Sequence, residues 1–218
     1  MTKRSDWSAV VPAHWLPAER GVVAATVHGQ DLALWRSASG VVQAWDDRCP
    51  HRGVALSLGR VLGDRLACAY HGWEYAHGSG RCVAIPALPH LPVPGSVCVR
   101  TFAAVERQGM VWVALDPAAT LPDDPPAAAA SSFLRSMAVA APLAATETLL
   151  AAQAFTPAGP SQWHGHWGGH ALQLWTLDAA HDWCVLHVAT AAHVADHASA
   201  GLFGALRQLR DLLQAPVA

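Results

Sequence analysis

Short apolar runs of three to ten residues, none with helical spacing, fill the chain from Gly21 to Leu115. They predict strands at Val22–Val27, Asp31–Arg36, Val41–Asp46, Arg65–Ala69, Trp73–Tyr75, Arg81–Ile85, Val97–Glu106 and Met110–Leu115. Turn signals separate them: His28-Gly29-Gln30, Ser39-Gly40, Gly63-Asp64, His77-Gly78-Ser79-Gly80 and Gln108-Gly109. The four prolines of Pro86–Gly95 cannot donate to a sheet ladder, so that segment is expected as an extended surface connection. Many short strands without a helical period predict an antiparallel β-sandwich or small barrel.

The pattern changes after Leu115. "DPAATLPDDPPAAAA", Asp116–Ala130, has the composition of a linker, which divides the chain into a domain at 1–116, a linker at 117–130 and a smaller part at 131–218. Ser132–Gln153 is rich in Ala and Leu and reads as strand or helix, while "ALQLWTL" and "DWCVLHVAT" read as strands. Leu202, Leu206, Leu209 and Leu213 recur at helical spacing, with Ser199 as the expected N-cap. The chain is therefore expected to be mainly β, its second part a small α+β remnant closed by a helix.

Composition narrows the class. Apolar residues make up 52% of the 218 and charged ones 14%, which excludes disorder. A net charge of −2 gives no basic footprint for nucleic acid or an anionic membrane. No apolar stretch follows the charged N-terminus as in a signal peptide, and runs such as Ala138–Ala145 are too short to span a bilayer. The expected location is the cytoplasm. There, five cysteines, an odd number, are expected as metal ligands or buried thiols rather than disulfides.

Two of those cysteines stand beside histidines. Cys49-Pro50-His51, then sixteen residues, then Cys68-Ala69-Tyr70-His71 is a C-x-H…C-x-x-H constellation. A Rieske [2Fe–2S] centre needs two thiolates on one iron and two imidazoles on the other, and two loops can each carry one ligand for each iron. Gly53 and Gly72 are expected to let the backbone approach the bridging sulfides and donate hydrogen bonds, and Pro50 to stiffen the first loop. The same Cys₂His₂ set could hold zinc, but zinc knuckles more often pair two cysteines on one side and two histidines on the other. One of each per loop favours the cluster. Cys82, Cys98 and Cys184 are expected as buried strand thiols.

"RCPHRGVALSLGRV", "ACAYHGWEYAHGSGRCVAIP" and "VRTFAAVERQGMVWVAL" resemble the N-terminal domain of Rieske non-haem iron oxygenases, in the monooxygenase branch with dicamba and vanillate O-demethylases. The resemblance covers residues from about 7 to 116. It implies that Cys49 and Cys68 bind one iron and His51 and His71 the other, with Tyr70 and Trp73 beside the cluster. The cysteines that cross-link the loops of respiratory Rieske proteins are missing, which implies a low-potential cluster.

The second part matches that family poorly. Its mononuclear Fe(II) is held by two histidines and a carboxylate, through Asn-x-x-Asp-x-x-His-x-x-x-x-His on a helix and a carboxylate from a later one. In the best register Gln153 replaces the asparagine, Thr156 the aspartate and Gly159 the first histidine, so His164 alone survives as a ligand for a second metal. Pro157 and Pro160 would break the helix. His166, His170, His181, His187, His193 and His197 add imidazoles, but the nearest carboxylates would be Asp178, Asp182, Asp196 or Asp211, and Asp211 reads as a surface residue. Trp163, Trp167, Trp175 and Trp183 read as core or interface. A mononuclear Fe(II) is thus not expected. The reading favoured is an electron-transfer subunit of an oligomeric oxygenase system, between a reductase or ferredoxin and a catalytic oxygenase subunit. The alternatives are a compact monooxygenase with a rebuilt iron site and a structural subunit of a mixed oligomer.

Overall fold

A computed structural model describes residues 6–18, 21–121, 132–190 and 199–215. The chain forms two compact units, one of Val10–Ala119 and one of Met1–Ala9 with Thr120–Ala218. The chain is mainly β, as its pattern predicts.

In chain order the first ten strands are β1 (Trp7–Pro12), β2 (Val23–Val27), β3 (Gln30–Arg36), β4 (Val42–Asp46), β5 (Arg60–Leu62), β6 (Arg65–Ala67), β7 (Glu74–Ala76), β8 (Cys82–Ala84), β9 (Thr101–Arg107) and β10 (Met110–Ala114). They make a six-stranded sheet in the order β1-β10-β9-β4-β3-β2 and a four-stranded meander β5-β6-β7-β8. Gly63 at φ +61° completes the two-residue turn between Leu62 and Arg65. Trp35, Trp45, Leu56, Leu66 and Tyr75 are all fully buried in the first unit's core, and the two indoles meet edge to face at 5.0 Å. Pro86–Gly95 forms no strand and lies exposed apart from Val93, as its prolines require.

Three details differ from expectation. β1 and β5 were not foreseen. Residues 97–100 hold only an isolated bridge between Arg81 and Cys98, so β9 begins at Thr101. Cys98 is consequently exposed, not a buried strand thiol, while Cys82 and Cys184 are buried. Gly80 anchors this region: its N–H donates to the Ala76 carbonyl and its carbonyl accepts from Val99. With φ at +64°, a Cβ there would collide with the Val99 carbonyl oxygen. Gly80→Ala is expected to cost about 2 kcal/mol or more, read as a lower urea midpoint.

The second unit contains β11 (Ser132–Val139), α1 (Leu143–Ala152), β12 (Thr156–Gly159), β13 (Gln162–Trp167), β14 (His170–Ala180), β15 (Trp183–Thr190) and α2 (Ser199–Leu213). Its strands form an antiparallel sheet in the order β11-β15-β14-β13-β12. Leu202, Leu206, Leu209 and Leu213 are fully buried, as their spacing predicts, in one core with Leu143 and Leu150 of α1 and Leu172, Leu174, Leu186 and Val188 of the sheet. Trp163 joins that core, and Trp167 donates its indole N–H to the Ala205 carbonyl at 2.7 Å.

Candidate metal centre

Two loops with the same backbone wiring carry the cysteine–histidine pairs. The Cys49 N–H donates to the Val54 carbonyl at 2.8 Å, and the Gly53 N–H donates back to the Cys49 carbonyl at 2.8 Å. In the second loop the Cys68 N–H donates to Trp73 at 2.9 Å, and the Gly72 N–H to the Cys68 carbonyl at 3.1 Å. Each turn closes on a glycine four residues after its cysteine, at φ +74° for Gly53 and +69° for Gly72. The N–H groups of the two glycines are themselves taken by the cysteine carbonyls. The Tyr70 and His71 amides are directed at the Cys68 sulfur.

The cysteines end inside the domain and the histidines at its rim. Cys49 and Cys68 are 3% and 5% exposed, in the core with Leu56, Leu66, Tyr75, Cys82 and Ile85. Burial pushes the Cys68 thiol up, and the hydrogen-bonded Cys49 thiol adds to that, while the Tyr70 and His71 amides pull it down. The Tyr75 hydroxyl lies 3.1 Å from the Cys49 sulfur; burial and that contact raise the phenol well above its ordinary value. At the rim the His51 and His71 rings meet at 4.7 Å. Trp73 stacks on His51 at 4.1 Å and 7°, and Tyr70 lies tilted against His71 at 3.8 Å. Desolvation first, then His71 and Arg52, lower the His51 pKa and favour the neutral imidazole that binds metal. His51 is half-buried; His71 is exposed.

This donor set is divided in two: a buried sulfur pair and a rim imidazole pair. Among the described residues no three His, Cys, Asp or Glu side chains converge on a single ion position. A two-iron cluster takes one such pair on each iron. The set fits the cluster. Tyr75 is the functional neighbour that sequence reading missed, although a buried tyrosine hydroxyl needs a partner.

The second unit brings no comparable set together. Helix α1 stops at Ala152, and Gln153 follows it as its C-cap. Thr156 and Gly159 lie on β12 and His164 opposite Thr156 on β13, so the residues compared with an iron-binding helix lie on a β-hairpin. His164 and His166 are exposed there, and His187 is buried with its Nδ1 2.7 Å from the Ser136 hydroxyl. Asp211 is exposed and pairs with Arg210 at 3.2 Å. His193, Asp196 and His197 lie outside the described residues, as does most of the linker.

Residues 6–102 match the family model of the Rieske [2Fe-2S] domain. That stretch of the chain is a Rieske [2Fe-2S] domain. Its cofactor is a Rieske-type [2Fe–2S] cluster. The chain is 43% identical over 111 residues to the oxidoreductase NdmD of Pseudomonas putida, a match covering 51% of this chain and 19% of that protein. The match to the methylxanthine N1-demethylase NdmA of the same species covers 28% of that protein, so the chain spans well under two thirds of these relatives. In fold the likeness extends further. The structure of NdmA with caffeine superposes at a TM-score of 0.74 and 20% identity, covering 96% of this chain and 81% of that one. Apo dicamba monooxygenase superposes at 0.71 and 20% identity, covering 97% and 85%. The chain thus shares the fold of these two proteins. Among the described residues no helix is long and apolar enough to cross a membrane.

Proposed function

We propose that this chain is an electron-transfer component of an oxygenase system. Cys49 and Cys68 hold one iron of the cluster and His51 and His71 the other; a reductase or ferredoxin supplies electrons, and a catalytic subunit with its own mononuclear iron receives them. One observation favours this over an independent oxygenase: Gln153, Thr156, Gly159 and His164 run from the end of α1 across a β-hairpin. Around them the interior of the second unit is filled by apolar side chains, among them Phe155, Trp163, Leu174 and Leu206.

Bound in this cradle, the cluster supplies a one-electron carrier whose potential responds to hydrogen bonds on its sulfurs and to solvent access. The protein controls both. Cys49 and Cys68 lose their protons on binding metal; Tyr75 donates to the Cys49 sulfur, and the Tyr70 and His71 amides point at the Cys68 sulfur. Leu56, Leu66 and Ile85 keep water from the sulfur end. Trp73 covers His51, so His71 is the ligand edge open to another protein.

Tyr75→Phe removes a donor that favours the more negative, reduced state. A difference of about 1 kcal/mol between the two redox states corresponds to roughly 40 mV for one electron. The potential is therefore expected to fall by about that much, measured by redox titration. For the function itself, the isolated chain is expected to accept one electron and to consume no oxygen in a coupled manner. Reductant-driven, substrate-dependent oxygen uptake by the chain alone would favour the compact monooxygenase instead.

A further inference from the structure

The surface around His71 combines unpaired positive charge with exposed apolar area. Arg48 directly precedes Cys49 and Arg52 directly follows His51; both are exposed. The Arg48 guanidinium lies across the first loop, its Nε 3.3 Å from where a Gly53 Cβ would be. Neither arginine has a carboxylate partner among the described residues, unlike Arg36, Arg65 and Arg210. The neighbouring Asp47 forms no ion pair with Arg48; its two oxygens accept from the Ser57 N–H and hydroxyl, each at 2.6 Å. These two guanidiniums, held in no ion pair among the described residues, belong to a chain whose net charge is −2.

Beside it lies apolar surface. Tyr70, against the His71 ring, is 59% exposed. The proline-rich segment packs on the second loop, where a Gly72 Cβ would stand 3.1 Å from Pro86 Cγ. Successive turns, Leu88 N–H to Ile85 and Leu91 N–H to Leu88, hold out Leu88 and Leu91 at 48% and 61% exposure. Arginine and aromatic side chains around an apolar centre are what protein interfaces concentrate.

We infer that Arg48, Arg52, Tyr70, His71, Leu88 and Leu91 form the docking surface for an acidic electron-carrier protein. The inference rests on the electron-transfer reading above. The arginines steer a negatively charged carrier to the rim, and the apolar residues exclude water around His71, the exposed ligand edge. Because encounter is electrostatic, its rate depends on ionic strength.

The test is rapid mixing of the holoprotein with a reduced, strongly acidic plant-type [2Fe–2S] ferredoxin, and separately with photoreduced 5-deazariboflavin as a small uncharged donor. The ferredoxin rate constant is expected to fall about tenfold or more from low to high salt. In R48E/R52E it should be about tenfold lower at low salt and its salt dependence should vanish, while reduction by the flavin changes far less than reduction by the ferredoxin. L88S/L91S should slow the ferredoxin reaction but keep the salt slope, so the surface stays testable if charge reversal impairs folding. A salt-independent wild-type rate, or ferredoxin kinetics unchanged in both variants, overturns the docking surface. So does self-association of the chain that R48E/R52E abolishes, since the surface would then be covered by a second copy. Iron analysis and a ferredoxin binding titration on the same samples separate the two claims. Arginine-dependent binding by a chain without a two-iron cluster would support the surface and refute the electron-transfer reading.

Discussion

Cys68→Ser is expected to yield a folded chain without the visible absorption and reduced-state EPR signal of a Rieske cluster. The sulfur of Cys68 faces that of Cys49 in the buried half of the cradle, with two amides directed at it. A serine oxygen stays protonated at neutral pH and is a poor ligand for iron that prefers thiolate. Cys82→Ser is the matched control. Cys82 is buried in the same core and pairs with Tyr75 across the β7–β8 ladder, but its sulfur turns to the Ala84 carbonyl. That variant is expected to keep its two irons, measured by iron and sulfide analysis. A cluster retained in Cys68→Ser, or lost in Cys82→Ser, would show that the wrong thiols have been assigned.

Leu206→Ala is expected to destabilise the second unit by about 3 kcal/mol, within the 2–5 kcal/mol usual for such truncations in a packed core. Leu206 is fully buried on α2, between Leu202 and Leu209 on the same stripe. The helix would be left with a cavity against the sheet, and its neighbours, themselves packed, could fill it only in part. Denaturant melts followed by circular dichroism measure the effect. A shift below about 1 kcal/mol would mean that α2 is not held by this stripe.

The strands whose apolar runs are bounded by Gly or Asn-like turns, β2, β3, β4 and β10, fall within a residue or so of their sequence expectation. β5 did not announce itself because Arg60-Val61-Leu62 is too short to show a period, and β1 because Pro12 closes a run with no turn signal before it. β12 is hidden by Pro157, which a strand tolerates at a sheet edge. The cysteine–histidine motif was legible because metal ligation restricts residue type and spacing together. Its surroundings were not. The contact of Tyr75 with Cys49 joins residues 26 positions apart, and the stacking of Trp73 on His51 joins two different loops. The glycine bonds were hidden for a related reason: glycine signals an unusual φ without saying which carbonyl its N–H will meet. In the second unit the helix-breaking prolines were readable, whereas the hairpin that places His164 opposite Thr156 is a matter of pairing.

In the function proposed here, the chain carries a Rieske cluster between the two loops and works as an electron carrier without a mononuclear iron of its own. Iron and acid-labile sulfide per chain, on protein reconstituted anaerobically with excess iron, test it most directly. Two irons and two sulfides are expected, with all iron accounted for by the Rieske EPR signal after one-electron reduction. A third iron per chain, bound without sulfide and lost on His164→Ala, would contradict it.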